Sequence, residues 1–246
     1  MSEAILELNN IHKSFGNNKI HRGITLSLKK GESLGLLGGS GTGKSVLLRS
    51  IIGLERIDQG EIKFHGERFD HLPEDELTPY RIKLSYSFQS GALFDSINVF
   101  ENIAYPLFEH TRFSFQQIKD KVAEMLKLID LPGREHIMPS DLSGGMQKRV
   151  GMARAMILNP EVLLYDEPTA GLDPANTLNV VALMQKLKDK GLASIFVTHD
   201  IPSALSLCDR IVVLHEGKIV FDDTPINFQN SNDPIVKKFN NASSKD

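Results

Sequence analysis

Cysteine is nearly missing: Cys208 is the one cysteine among 246 residues, so no internal disulfide can form. That suits a reducing compartment, and a lone thiol on the apolar side of a helical stretch reads as core rather than as a nucleophile. Long apolar runs are missing as well. None approaches the roughly 18 residues that span a bilayer, so a membrane role has to come through a partner. The opening Met1-Ser2-Glu3-Ala4 lacks the charged-then-apolar pattern of a leader and passes straight into a strand-like segment, which reads as cytosolic. An excess of one charge sign is missing: a net charge of −3 gives no global argument for nucleic acid. Repeats and low-complexity segments are absent too. A hydrophobic content of 41% and a charged content of 24% are ordinary for a globular protein. The length suits one large α/β domain with room for an inserted subdomain.

The stretch around which the rest is organised is Gly38-Gly39-Ser40-Gly41-Thr42-Gly43-Lys44-Ser45, which fits G-x-x-x-x-G-K-[ST]. The apolar run Leu34-Gly35-Leu36-Leu37 before it predicts a buried strand, and Val46 to Ile52 predicts a helix closed by Gly53. Glycines let backbone N–H groups turn inward around a phosphate chain at a helix N-terminus, where the dipole favours anions. Lys44 would then reach the β- and γ-phosphates, and the Ser45 hydroxyl would ligate Mg²⁺. The strand-before, helix-after context sets this apart from a glycine-rich turn without a ligand.

Ile5 to Leu8, Ile11 to Phe15 and Ile24 to Leu28 alternate as short antiparallel strands. Phe15 stands just ahead of the glycine loop, where an aromatic either stacks on a base or fills the core of a small sheet. Gly60 to Gly66 and Leu84 to Phe88 read as further strands. From Val99 the period becomes helical: Ile118, Val122, Met125, Leu126 and Ile129 share one face, as core packing requires. This middle third predicts a helical insertion over about residues 90–158. Val162 to Tyr165 is a continuous apolar run ending in Asp166-Glu167, as a central parallel strand delivers a site at its carboxyl end. There Asp166 can hold Mg²⁺ opposite Ser45, and Glu167 can orient or deprotonate a water. A helix follows over about 176–190, then a buried strand, Ser194 to Thr198, ends at His199, which can hydrogen-bond a γ-phosphate. Ile211 to Leu214 and Lys218 to Phe221 pair through Glu216-Gly217, and a polar tail over 241–246 closes the chain.

In this order the pieces resemble the ATPase subunits of ABC transporters. Phe15 matches the base-stacking aromatic, Gly38 to Ser45 the phosphate loop, and Gln89 the Q-loop. Leu142-Ser143-Gly144-Gly145-Met146-Gln147 matches the signature, Asp166 and Glu167 the Mg²⁺ and catalytic carboxylates, Asp173 the D-loop, and His199 the switch histidine. The likeness runs from about Ile5 to Asp222. It implies a P-loop NTPase fold over residues 1–240: a RecA-like, mostly parallel α/β core, an N-terminal antiparallel β-subdomain and an inserted α-helical subdomain. It also implies ATP and Mg²⁺ as cofactors, with Gln89 joining Ser45 and Asp166 at the metal and Lys44, Gln89, Glu167 and His199 acting in hydrolysis. Ser143, Gly144 and Gly145 open a helix and so offer a hydroxyl and free N–H groups. In the family this second anion site caps the γ-phosphate held by a partner subunit, so one phosphate loop and one signature imply a homodimer around two ATP, with Asp173 at the interface. Val46 replaces the hydroxyl residue common after the Lys-Ser pair and keeps only its backbone N–H for the α-phosphate. Met146 stands where many members have glutamine.

Within the family, Phe88 to Phe94 followed by Asn98 to Leu107 looks like the Mla/Mce-type ATPases, as do Gly38 to Leu48 and Asp233 to Phe239. That implies phospholipid traffic across a bacterial envelope from the cytoplasmic face of the inner membrane. The partners would be an integral permease of the MlaE type, docking through the region after Gln89, and a lipid-binding MCE-domain protein, with no direct nucleic acid. A small-solute importer ATPase, a soluble ABC-type ATPase on nucleic acid or ribosomes, and a non-hydrolysing regulator remain as competing readings. The last conflicts with an intact Lys44, Glu167 and His199.

Overall fold

The computed structural model describes residues 4–242. Strands β1 (Ala4–Phe15), β2 (Asn18–Lys29) and β3 (Ser33–Leu37) lead through the glycine loop into α1 (Lys44–Ile51). Then come β4 (Gln59–Phe64), β5 (Glu67–Arg68), α2 (Thr78–Lys83) and β6 (Leu84–Ser87). Helices α3 (Val99–His110), α4 (Phe115–Leu128) and α5 (Gly144–Met156) lie between β6 and β7 (Val162–Asp166). The remainder alternates: α6 (Pro174–Asp189), β8 (Ala193–Val197), α7 (Ile201–Leu207), β9 (Arg210–His215), β10 (Lys218–Asp223), α8 (Pro225–Gln229) and α9 (Pro234–Ala242).

A four-stranded antiparallel sheet has the order β2-β1-β4-β5, and a six-stranded sheet has the order β10-β9-β3-β8-β7-β6. In the larger sheet β9, β3, β8, β7 and β6 run parallel, and β10 is an antiparallel edge. Because side chains alternate along a strand, each central strand feeds two cores. Val162 and Leu164 of β7 join Leu47, Leu48 and the antiparallel sheet, whereas Leu163 and Tyr165 join α3 to α7 on the opposite face. Ile118, Val122, Leu126 and Ile129 are buried in that second core, with Met125 half-buried beside them. Asn98 and Glu101, then Ser114 and Gln117, form capping boxes that start α3 and α4, each cap contributing about 1 kcal/mol.

Two boundaries differ from the sequence reading. The runs Ile5 to Leu8 and Ile11 to Phe15 are one strand, shifted in register at Asn9 and Asn10 rather than turned. Asn10 adopts φ 52°, which asparagine tolerates. Facing it, a Cβ on Gly60 (φ +102°) would meet the Asn10 and Asn9 carbonyl oxygens at 2.5 and 2.6 Å. Helix α9 runs through Ala242, two residues into the expected polar tail, and buries Val236. Asn240 Nδ2 donates to the Phe228 carbonyl at 2.9 Å. The rest of that expected tail, 243–246, lies outside the described residues.

Candidate nucleotide site

The sheet order places β3, β8, β7 and β6 side by side, so their carboxyl ends deliver the glycine loop, His199, Asp166-Glu167 and Gln89 to one edge. A cleft of about 650 Å³ opens there, lined by Ser40 to Val46, Gln89, Glu167, Thr169, Thr198, His199 and Asp200. The loop is tightly held. A Cβ on Gly38 would meet the Leu214 carbonyl oxygen at 2.6 Å and Thr42 Oγ1 at 2.8 Å. Gly43, at φ +96°, caps α1 where a side chain would strike Ile20 and His21. His21 Nε2 lies 3.0 Å from the Gly43 carbonyl and, facing an acceptor, carries the ring proton. Burial pulls the His21 pKa down, so the imidazole stays neutral.

Lys44 is only 6% exposed. Its Nζ donates to the Gly38 and Gly39 carbonyls at 2.8 and 3.1 Å and stands 3.4 Å from His199 Nε2. Burial lowers its pKa, against the pull of Glu167 and Asp166. Ser45 Oγ donates to Asp166 Oδ1 at 2.7 Å, and the Tyr86 hydroxyl donates to Asp166 Oδ2 at 2.5 Å. Burial first, and then the Asp166 carboxylate, push the Tyr86 phenol well above its ordinary value, so it remains a donor.

Glu167 turns off the end of β7 at φ 50°, its N–H donating to the Val197 carbonyl at 2.9 Å. One carboxylate oxygen, Oε2, accepts from the His199 N–H at 3.2 Å. The other, Oε1, receives no hydrogen bond, although His199 Nε2 is 3.1 Å away. Desolvation raises the Glu167 pKa despite His199 and Lys44, making it a stronger proton acceptor than an ordinary glutamate.

The remaining predicted residues fall into two groups. Gln89 and Val46 line the cleft. Phe15, Ser143, Gly144, Gly145 and Asp173 do not. Phe15 ends β1 at 46% exposure with Lys13 Nζ 4.8 Å from its ring centroid, so it is no core residue of the small sheet. Ser143 caps α5, accepting from the Met146 N–H at 3.3 Å, and leaves Gly144 exposed. Asp173 caps α6 by accepting from Asn176 N and Nδ2 at 2.9 and 2.6 Å, bonds that hold its carboxyl below the usual range. Gly151 of α5 packs onto the loop after Gln89 so closely that a Cβ on it would lie 2.7 Å from Gly91 Cα. Arg154 adds bonds from Nη2 to the Gly91 and Ala92 carbonyls at 3.1 and 2.6 Å.

Sequence reading missed Tyr86, His21 and Lys148. Lys148 Nζ donates to the carbonyls of Glu167 and Ala170, tying α5 to the backbone of the paired carboxylates. For Tyr86 the available signal was its place on the strand that leads to Gln89. Nothing local marks the other two.

For the implied cofactors, the donor set fits. The oxygens of Ser45 and Asp166 are hard ligands suited to Mg²⁺, which takes few protein ligands and completes its shell with water and phosphate. The unbonded Glu167 Oε1 and the inward-turned loop suit a water and a phosphate chain.

A glycine loop entering a helix, two carboxylates on the next-but-one strand and a histidine between them define a P-loop nucleotide-binding cassette. The chain belongs to the ABC transporter family, whose sequence profile matches residues 21–170. It is an ATPase of that family. It is 40% identical to Protein TRIGALACTOSYLDIACYLGLYCEROL 3, chloroplastic, of Arabidopsis thaliana, over 97% of this chain and 74% of that protein. It is equally 40% identical to the probable ribonucleotide transport ATP-binding protein mkl of Mycobacterium tuberculosis, over 96% of this chain and 66% of the relative. The intermembrane phospholipid transport system ATP-binding protein MlaF of Escherichia coli K12 is 37% identical, over 96% of this chain and 88% of its own length. Among solved structures, a dimeric ATP-binding cassette in a post-hydrolysis state with ADP and phosphate superposes at a TM-score of 0.83. It is 31% identical, over 89% of this chain and 98% of that one.

Proposed function

We propose that this ATPase drives lipid, most specifically phospholipid, movement as the peripheral subunit of an Mla/Mce-type transporter. The observation that carries the cargo assignment is the near full-length likeness to MlaF, which spans 88% of that relative. The plant relative, named for a galactolipid, agrees with it. Among the described residues no helix is long and apolar enough to cross a membrane. The permease contact therefore falls to a surface, and an aromatic cleft of about 510 Å³ beside Gln89, walled by Phe88, Phe94, Tyr105 and Arg154, suits it. The other partners in this reading are a second copy of the chain and an MCE-domain protein. The setting is the cytoplasmic face of the inner membrane.

The mechanism follows from the residues of the cleft. Lys44 leaves the Gly38 and Gly39 carbonyls for the β- and γ-phosphates, where a charge-assisted bond is stronger than a neutral one. Ser45, Asp166 and Gln89 would hold Mg²⁺, which would supply positive charge to offset that of the phosphates. Glu167, with its raised pKa and unbonded Oε1, orients a water and takes its proton. His199 Nε2, between Glu167 and Lys44, donates to the γ-phosphate. Ser143 to Gly145 offer their N–H groups to the γ-phosphate held by the partner copy, which explains why they line no part of this chain's own cleft.

Pull-down of a tagged copy from its native membrane in mild detergent, with mass spectrometry of protein and lipid, tests the assignment. A multi-span permease, an MCE-domain protein and phospholipid are expected. The name of the mycobacterial relative favours a second reading, a nucleotide or other small-solute transporter. Recovery of a permease with a solute-binding protein would establish that reading instead.

A further inference from the structure

The hydrogen bond between Tyr86 and Asp166 plays no part in the mechanism above. Asp166 is 7% exposed and each of its two oxygens has one hydroxyl donor, Ser45 Oγ on Oδ1 at 2.7 Å and Tyr86 on Oδ2 at 2.5 Å. Two donors from opposite sides fix the carboxylate plane, whereas Ser45 alone would leave it free to rotate about its terminal torsion. The donors come from different elements: Ser45 from the first turn of α1, and Tyr86 from β6, which pairs in parallel with β7. Tyr86 stands opposite Leu164 in that register, two residues short of Asp166, so only a long side chain ending in a donor spans the gap. Phenylalanine and leucine, which suit the same half-buried strand position, cannot make the bond.

The ring of Tyr86 has a second neighbourhood. It lines the aromatic cleft with its centroid 4.5 Å from that of Phe88. Tyr86 thus touches both the aromatic cleft and Asp166.

We propose that Tyr86 is a positioning residue for the metal ligand Asp166, its hydroxyl orienting the carboxylate while its ring forms part of the aromatic cleft. Partners of this kind hold a ligand oxygen in its productive direction, and their loss typically weakens metal affinity by about tenfold or more. The proposal rests on the magnesium assignment to Asp166, and the controls separate the two.

The test is calorimetric titration of ADP into the purified chain, in EDTA and over a series of Mg²⁺ concentrations, so that no turnover intervenes. For Tyr86→Phe, affinity in EDTA should match the parent, while the gain in affinity produced by Mg²⁺ should fall by about tenfold. Tyr86→Leu, which loses ring and hydroxyl together, should show the same loss of the Mg²⁺ gain. A Tyr86→Phe chain that melts at lower temperature but keeps the full Mg²⁺ gain would make Tyr86 a packing residue and overturn the proposal. Asp166→Asn should lose the Mg²⁺ gain outright. If it retains the gain, the metal assignment falls, and the role of Tyr86 with it.

Discussion

Glu167 is held in a backbone conformation and an environment that a glutamate rarely occupies, and the buried environment works against its charge. Burial raises its pKa above the ordinary value of about 4.3. In the folded chain the protonated form is therefore favoured more than in the unfolded chain. That contribution to stability is complete below pH 4 and is lost as pH rises through the raised value. Glu167→Gln removes the charge, so without nucleotide the variant should melt with the parent at low pH and about 1–3 °C above it at pH 8. Parallel melts across pH read this directly, and identical curves at pH 8 would mean the carboxylate is already well solvated. The meeting of Lys44, Ser45, Asp166, Glu167 and His199 was legible because motif spacing and apolar strand runs both point to one sheet edge. Tyr86 was legible only as a member of the strand that leads to Gln89. A tyrosine in an alternating strand fits any half-buried face, and its bond to Asp166 depends on a register that appears only once β6 lies beside β7. His21 and Lys148 were hidden for the same reason, each acting on a backbone carbonyl far away in sequence.

At the scale of elements, apolar period and glycine spacing located most strands to within a residue or two, whereas no bounds were predicted for the short helices α2, α7 and α8 or for the helix α9. The parallel order β9-β3-β8-β7-β6 was foreseen only as a mostly parallel core. What escaped was continuity: Asn9-Asn10 looks like a turn between two strands and is instead a bulge within β1. Local chemistry permits either outcome. The choice is made across the sheet by Gly60, whose missing side chain leaves room for the two asparagine carbonyls. Gly60→Ala should therefore cost about 1–3 kcal/mol, from a positive φ and a backbone clash together. Urea denaturation measures it, and a loss below about 0.5 kcal/mol, the usual range of surface changes, would show that the bulge relaxes without resistance.

For the molecule as a whole, the separation of the two helix starts proposed to bind anions is the informative fact. Gly43 and Lys44 open α1 inside the cleft, while Ser143 and Gly144 open α5 outside it. Glu167→Gln with ATP and Mg²⁺ should sediment as a dimer, and the same chain with ADP as a monomer. Adding Ser143→Arg should abolish the dimer while leaving ATP binding unchanged. A dimer that persists would remove Ser143 from the interface. In the proposed transporter, strain at the permease side would reach that interface through the contact of Gly91 with Gly151. Neither residue has a side chain, so nothing between loop and helix can bend or change rotamer to absorb a displacement, and packed backbone compresses very little. Arg154 bolts the same joint through two carbonyls. In the proposed dimer such a joint would act as a gear with no backlash: a shift of the loop after Gln89 would carry α5 with it and move Ser143 toward or away from the neighbouring copy.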